Sequence, residues 1–258
     1  MYPTFSRKLT SPPNPSHVHS ATYVGTEAFL PLERHSKSLF LTPGELSNRN
    51  NFCSSKVRAM YDDAAAHPRS LLLDVTSPAV TATGNIYTKA EDLLRQHRHA
   101  IAIVVSGREI WRKCGSGARP ADPAKLAEYA RPQSFTGRNK SFAAVLTQID
   151  IDFPASPIFV FGYSQMQRGI SYRSSTRVPS HMILDFKKAM SLCRLVQAAG
   201  RSNGKQATQL MTNMGLDRPI VRLLTSSNDF DAIRNYPRFL EQIRQNMVDH
   251  DMNLEQAL

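Results

Sequence analysis

Two arginines beside glycines are the residues of this sequence best suited to chemistry on a phosphate. Arg168 precedes Gly169 in a polar stretch that follows an apolar run, and Arg201 follows Gly200 where a helical pattern ends. Glycine lets the backbone turn tightly and approach a ligand, and an arginine fork matches two phosphate oxygens at once. Each stretch alone also fits a surface arginine in an ordinary connection, so their arrangement in the fold decides between the two interpretations.

Apolar runs alternate with amphipathic stretches around these arginines. Short continuous apolar runs bounded by Pro, Gly or Ser are typical of strands buried on both faces of a parallel sheet. Their alternation with helices predicts an α/β fold, an open, mostly parallel sheet flanked by helices, with ligands at the carboxyl ends of the strands. The predicted strands cover residues 71–75, 101–105, 158–161, 181–184 and 220–224, and the predicted helices cover residues 88–97, 140–149, 187–199 and 230–247.

The character of the chain changes near residue 68. Residues 1–68 are rich in proline and in Ser/Asn clusters, which predicts an irregular N-terminal arm with one short helix over residues 56–66. Residues 69–258 carry the alternating pattern and are predicted to form the α/β domain, which ends in a C-terminal helix.

Composition restricts the class of protein. Of the 258 residues, 41% are hydrophobic, which is enough apolar mass for a folded core. The longest strongly apolar run covers only residues 100–105, whereas a membrane-spanning helix needs about 20 residues. The first 20 residues contain four prolines and no apolar stretch of the kind that a secretory signal has. We therefore expect an intracellular protein of the nucleus or cytoplasm with no membrane contact.

Cysteine and histidine spacings predict no metal site. The three cysteines are far apart and odd in number, which suits neither a disulfide framework nor a zinc site. His97 and His99 are two residues apart on a predicted helix, so their side chains point to different faces. His17 and His19 have no third ligand near them in the sequence.

Positive charge is concentrated in one part of the chain. The sequence has 32 basic and 21 acidic residues, a net charge of +11, and the stretch over residues 95–140 holds seven of these eleven charges. This stretch also carries Trp111 and several glycines, a combination compatible with a surface that follows a phosphate backbone. Charge alone is equally compatible with a solvated basic surface that has no partner.

The two arginine-containing stretches, in this order and separated by one predicted strand, resemble motifs V and VI of the second RecA-like lobe of superfamily 2 helicases. Residues 168–171, Arg-Gly-Ile-Ser, are similar to the end of motif V, and Gln197, Gly200 and Arg201 match the Gln-x-x-Gly-Arg of motif VI. Residues 72–78 and 104–107 resemble the first two strand-and-loop units of the same lobe. The resemblance covers residues 69–246.

The resemblance implies a role for each matching residue. Arg201 would be an arginine finger directed at ATP, which binds with Mg²⁺ mainly to a first lobe, and Gln197 would face the nucleotide or couple to it. Arg168, Gly169 and Gly200 would lie near the nucleotide at the interface between lobes. The contacts to the phosphates of a single strand of DNA or RNA would come from Thr76, Ser77, Ser106, Gly107 and Arg108.

The sequence also departs from the helicase pattern. It has no Gly-x-x-x-x-Gly-Lys-Ser/Thr loop, since Lys205 is followed by Gln206, and no Asp-Glu box follows an apolar run. Gly204 stands where many members of the family have a second arginine. We therefore expect an ATP-dependent helicase or translocase lobe that needs a separate nucleotide-binding lobe in cis or trans, and that hydrolyses no ATP alone.

Two alternatives remain open at this point. One is a non-catalytic nucleic-acid-binding or adaptor module on the same fold. The other is a self-contained α/β enzyme of unrelated chemistry, because open α/β folds host many functions.

Overall fold

The computed structural model describes residues 55–75, 86–107, 109–136, 141–162, 171–184, 192–202, 207–215, 221–225 and 227–250. Within these residues the strands are β1 (Leu71–Asp74), β2 (Ile101–Val105), β3 (Glu109–Cys114), β4 (Gln133–Thr136), β5 (Ile158–Phe161), β6 (His181–Ile183) and β7 (Arg222–Leu224). The helices are α1 (Ser55–Ala66), α2 (Ile86–Gln96), α3 (Ala124–Ala130), α4 (Phe142–Asp152), α5 (Leu192–Ala199), α6 (Ala207–Asn213) and α7 (Ser227–Asp249), and a 3₁₀ turn, Gly200–Ser202, continues α5.

The seven strands form one mixed sheet in the order β4-β3-β2-β5-β1-β6-β7. Strands β2, β5, β1, β6 and β7 are parallel, whereas β3 and β4 extend the sheet beyond β2 as an antiparallel pair. We call the edge at which the parallel strands begin the amino edge and the edge at which they end the carboxyl edge. The five predicted strands and the mostly parallel α/β sheet are thus confirmed, and β3 and β4 were not predicted.

The central strands are buried on both faces, as continuous apolar runs require. Leu71 and Leu73 of β1 point to one face, where they join a core that includes residues of α4, α5 and α6. Leu72, between them, points to the other face and joins a core with residues of α1 and α2. Helices therefore cover both faces of the sheet.

The connections that follow β1 and β6 run in opposite directions along the strand order of the sheet. The connection from β1 to β2 contains α2 on one face, and the connection from β6 to β7 contains α5 and α6 on the other. Right-handed crossovers in opposite directions require opposite faces, which agrees with this arrangement. The carboxyl ends of the neighbouring strands β1 and β6 are therefore the topological switch point, where open α/β sheets bind ligands.

Helix α1, predicted as part of the N-terminal arm, packs directly on the sheet. Met60, Tyr61 and Ala64 are buried in the core beneath α2 and β1. The helix itself is confirmed, and it shares a core with Leu72 of β1. The rest of the predicted arm, residues 1–54, lies outside the described residues.

Two details near α2 and α7 differ from the sequence-based expectations. Helix α2 ends at Gln96, so His97 and His99 lie in the turn before β2 and not on the helix. Helix α7 is longer than predicted and extends to Asp249. Among the described residues, no helix combines the length and the apolar character that a membrane crossing needs.

Candidate functional site

Arg201 lies in the 3₁₀ turn that continues α5, on the sheet face covered by α4, α5 and α6. Its side chain is half-buried, and its charge acts on Tyr172: burial raises the pKa of Tyr172, and the Arg201 guanidinium opposes that rise. The Tyr172 ring packs against Phe142, with 4.8 Å between ring centroids. Phe142 begins α4, which follows β4 and therefore starts at the carboxyl edge.

The interaction with Tyr172 connects the end of α5 to the segment before β6. Tyr172 comes two residues after residue 170, and residues 163–170, which contain Arg168 and Gly169, lie outside the described part of the chain. The Tyr172 side chain, which follows these residues in sequence, lies near enough to Arg201 for the guanidinium charge to act on it, on the sheet face covered by α4, α5 and α6. A cleft beside the carboxyl edge is where such a sheet would bind a phosphate-containing ligand.

Gln197 and Gly200 leave space beside Arg201. Both residues are exposed. A Cβ atom added at Gly200 would meet nothing within 4 Å, so no neighbour in the described structure requires glycine there. Within the part of the chain that the structure describes, nothing lies close to Gly200 on this side of the turn.

Ser106 and Gly107 form the turn of the β2–β3 hairpin. The Ser106 hydroxyl accepts a hydrogen bond from the Glu109 N–H and donates one to the Glu109 carbonyl oxygen, each over 3.0 Å. The hydroxyl therefore stabilises the turn, whereas the exposed Gly107 leaves its backbone accessible. The other three residues assigned to nucleic acid, Thr76, Ser77 and Arg108, lie outside the described residues.

A buried polar cluster occupies the carboxyl end of β1, and the sequence analysis missed it. The fully buried Asp74 carboxylate accepts hydrogen bonds from Lys89 Nζ, at 2.5 Å, and from the Tyr61 hydroxyl. Burial and the Asp74 charge both raise the pKa of Tyr61 well above its usual range. Lys89 also lies over the Phe161 ring, with 5.6 Å to its centroid. This cluster holds α1 and α2 to the strand beside the switch point.

Several residues of the basic stretch, residues 95–140, are buried or form ion pairs within the fold. Trp111 is buried against Tyr87 and is not available to stack on bases. Arg112 is buried between the rings of Tyr129 and Phe135, 3.8 and 4.8 Å from their centroids. Ion pairs within the fold involve Arg95 with Asp92, Lys113 with Glu91, and Lys125 with Glu128.

Three exposed arginines of the same stretch lie at the amino edge. Arg98 precedes β2, and its carbonyl oxygen accepts a hydrogen bond from the Gly117 N–H at 2.8 Å, which brings the chain around Arg119 beside it. Arg131 precedes β4, which runs parallel to β2 and therefore starts at the same edge. These three exposed charges are thus opposite the loops at the carboxyl edge.

A second polar cluster lies at the amino edge, beneath the end of α1. Asp63 accepts hydrogen bonds from His181 Nε2, at 3.1 Å, and from the Arg222 guanidinium. Burial raises the pKa of Asp63, but these hydrogen bonds and charges outweigh it and lower the pKa to about 2. Burial lowers the pKa of His181. His67, four residues after Asp63, is also in the cluster.

No pattern in the sequence predicts the whole cluster, because its members come from three distant parts of the chain. His181 and Arg222 are paired residues on the neighbouring strands β6 and β7, which only the sheet register reveals. The one available signal was local: Asp63 and His67 are spaced i, i+4 at the end of a predicted helix, which puts both on one side.

Comparison with protein-family models, with curated proteins and with solved structures finds no match for this chain.

Proposed function

We propose that this chain is the second RecA-like lobe of an ATP-dependent nucleic-acid helicase or translocase, and that it acts with a separate nucleotide-binding lobe. The observation that supports this most is the position of Arg201. It lies at the end of a helix, half-buried, close to Tyr172, which follows the other arginine-containing stretch. The proposal needs these two distant parts of the sequence to meet on one side of the sheet.

In this proposal Arg201 stabilises charge on ATP. The transition state of phosphoryl transfer spreads negative charge over the equatorial oxygens, and an arginine supplied across an interface stabilises that charge. Anchoring by the 3₁₀ turn and half-burial would reduce the freedom that the long side chain must lose in reaching the phosphate. The first lobe would hold the nucleotide and Mg²⁺, and Gln197 with Gly200 would form the exposed surface that meets it.

The test is ATP turnover by the chain with a first lobe, fused or added in trans. Arg201→Ala should lower kcat by about 10³ to 10⁵, the range known for arginine fingers, and leave single-strand binding within a few-fold of the original. Lys205→Ala tests whether that lysine supplies a substitute charge, and Arg238→Ala, at an exposed position of α7 outside the basic stretch, is the matched control. Unchanged turnover per folded molecule, together with a slightly lower Tm, would mean that Arg201 only stabilises the helix end.

The non-catalytic adaptor is the second candidate, because the sequence has no phosphate-binding loop of its own. The same experiment distinguishes the two functions. An adaptor would bind single strands, but adding it to a first lobe would not increase ATP turnover.

A further inference from the structure

The cluster at the end of α1 has the donor set of a transition-metal site. Asp63, His67 and His181 each offer one ligand atom, and these three atoms all lie within 4.8 Å of one another. Two imidazoles and a carboxylate are typical zinc ligands, and three protein ligands with an open fourth position are a recurrent arrangement. His181 is 1% exposed, whereas Asp63 and His67 are partly exposed and leave the cluster accessible from solvent.

The distances are near those of a tetrahedral site. With metal–ligand bonds of about 2.0–2.1 Å, tetrahedral geometry separates neighbouring donor atoms by about 3.3 Å. Asp63 Oδ2 lies 3.1 Å from His181 Nε2, and Asp63 Oδ1 lies 3.7 Å from His67 Nδ1. These two distances involve different carboxylate oxygens, so binding one ion through a single Asp63 oxygen requires the Asp63 or His67 side chain to shift. His67 follows the end of α1, where its side chain has room to adjust.

The second nitrogen of His181 already has a suitable partner. Ser180 Oγ lies 2.8 Å from His181 Nδ1 and accepts the Leu71 N–H at 3.1 Å. A histidine that ligates through Nε2 must keep its proton on Nδ1 and donate it to an acceptor, which orients the ring. Ser180 Oγ is that acceptor once its own proton turns to the Leu71 carbonyl oxygen, 3.4 Å away.

Three existing interactions would have to give way. His181 Nε2 donates a hydrogen bond to Asp63, and ligation through this nitrogen requires its proton to move to Nδ1. Arg222 binds Asp63, and its cationic charge competes with a metal ion for the carboxylate. The Arg222 side chain is 42% exposed, so it can move into solvent without losing a buried environment. His67 Nδ1 lies 2.7 Å from the Asp63 carbonyl oxygen, and it would exchange this hydrogen bond for the metal.

We propose that Asp63, His67 and His181 bind one Zn²⁺ ion, with solvent in the fourth position, and that this ion links the end of α1 to the amino edge of the sheet. The site is separate from Arg201, which approaches Tyr172 on the other sheet face. A test of this Zn²⁺ site is therefore independent of the proposed ATP-dependent function.

The experiment uses the untagged full chain, treated with a chelator and then titrated with Zn²⁺ by calorimetry and with Co²⁺ by visible absorption. We expect one Zn²⁺ per chain, a higher Tm with Zn²⁺, and the intense d–d bands of a four-coordinate Co²⁺ site. His67→Gln removes a partly exposed ligand. It should reduce the affinity for Zn²⁺ by more than about 100-fold, because changes to groups that only hydrogen-bond the ligands typically cost about 10- to 100-fold. His99→Gln, at an exposed histidine in the turn before β2, is the matched control and should bind as the original chain does.

Arg222→Met gives a result of opposite sign. Removing the competing guanidinium should tighten Zn²⁺ binding, whereas a cluster that is only an ion-pair network would lose stability and gain no affinity. The proposal is overturned if the chain takes up no stoichiometric Zn²⁺, or if His67→Gln and His99→Gln bind alike. Circular dichroism establishes that each variant is folded, so that a loss of binding is not a loss of structure.

Discussion

Arg177 and Asp150 form a buried ion pair, with 2.7 Å between Nε and Oδ1, that ties the segment before β6 to helix α4. The same guanidinium donates from Nη1 to the carbonyl oxygens of Ser70 and Ser156, the residues just before β1 and β5. One side chain thus connects the starts of three neighbouring strands at the amino edge.

Replacing Arg177 by Met should therefore strongly destabilise the fold. Removing one partner of a buried pair leaves the other charge uncompensated, which typically costs about 3–5 kcal/mol. The Ser156 carbonyl oxygen also loses its Arg177 donor, whereas the Ser70 carbonyl oxygen keeps the Ile158 N–H. Urea unfolding measures the change in the free energy of unfolding. Arg119→Ala removes an exposed arginine and should stay within about 0.5 kcal/mol. Equal effects of the two changes would contradict the structural role assigned to Arg177.

Gly115 should tolerate no side chain. A Cβ atom there would overlap the carbonyl oxygen of Arg98 and lie 2.7 Å from its carbonyl carbon, and both are backbone atoms. Gly115→Ala should lower the free energy of unfolding by about 1–3 kcal/mol or more, because overpacking typically costs that much. Gly200→Ala, at a position with open space, is the control and should leave the free energy of unfolding nearly unchanged. Thermal melts of the two variants, compared side by side, measure the difference.

The Asp74–Lys89 pair predicts a non-additive result. Lys89→Met should be strongly destabilising because it leaves the fully buried Asp74 carboxylate with a missing cation. Combined with Asp74→Asn, the same change should cost less than the sum of the two single changes, with an interaction energy of about 0.5–3 kcal/mol. A double-mutant cycle by urea unfolding gives this energy. Additive free energies would show that the contact contributes no coupling.

Binding of single strands should depend on salt and on the amino edge. Each phosphate neutralised on a single strand contributes a slope of about −0.7 to the plot of log K against log salt. Changing the exposed Arg98, Arg119 and Arg131 to Ala should therefore make the slope less negative by up to about 2 units if all three contact the strand. Fluorescence anisotropy of a labelled oligonucleotide over a salt series measures it.

The control for this series is Arg238→Ala, which removes an exposed charge on α7, outside the basic stretch. It should change the slope little. No binding at low salt would contradict a nucleic-acid role altogether. An unchanged slope in the triple variant would mean that the three arginines do not contact the strand, and the loops at the carboxyl edge would be tested next.

Apolar continuity made the parallel core predictable. Leu71, Leu72 and Leu73 alternate between the two faces of β1, and both faces are covered, so the sequence carries an unbroken apolar run. Strands β3 and β4 carry no such signal. Cationic residues within β3, including the buried Arg112, made this segment resemble a solvated basic surface.

The candidate sites were predictable only where their residues are adjacent in sequence. Gly200 with Arg201 forms a local pattern, and its position after a helix was anticipated. Asp63 and His181 are brought together by strand pairing, and Asp74 with Lys89 by helix packing, so neither pair leaves a trace in a short window of sequence. Burial of an arginine between aromatic rings, as at Arg112, is likewise a tertiary property.

The position of β1 at the centre of the sheet affects synthesis of the protein on the ribosome. Among the described strands β1 is translated first, yet its two neighbours are β5 and β6. The Leu71 N–H donates a hydrogen bond to Ser180 Oγ, which comes 109 residues later in the sequence. Arg222, which donates a hydrogen bond to Asp63, comes 159 residues after it in the sequence. The nascent chain must therefore carry an unpaired, strongly apolar strand until most of the sequence has been translated. Such long-range pairing folds slowly and exposes aggregation-prone surface, so we expect this chain to depend on chaperones during its synthesis.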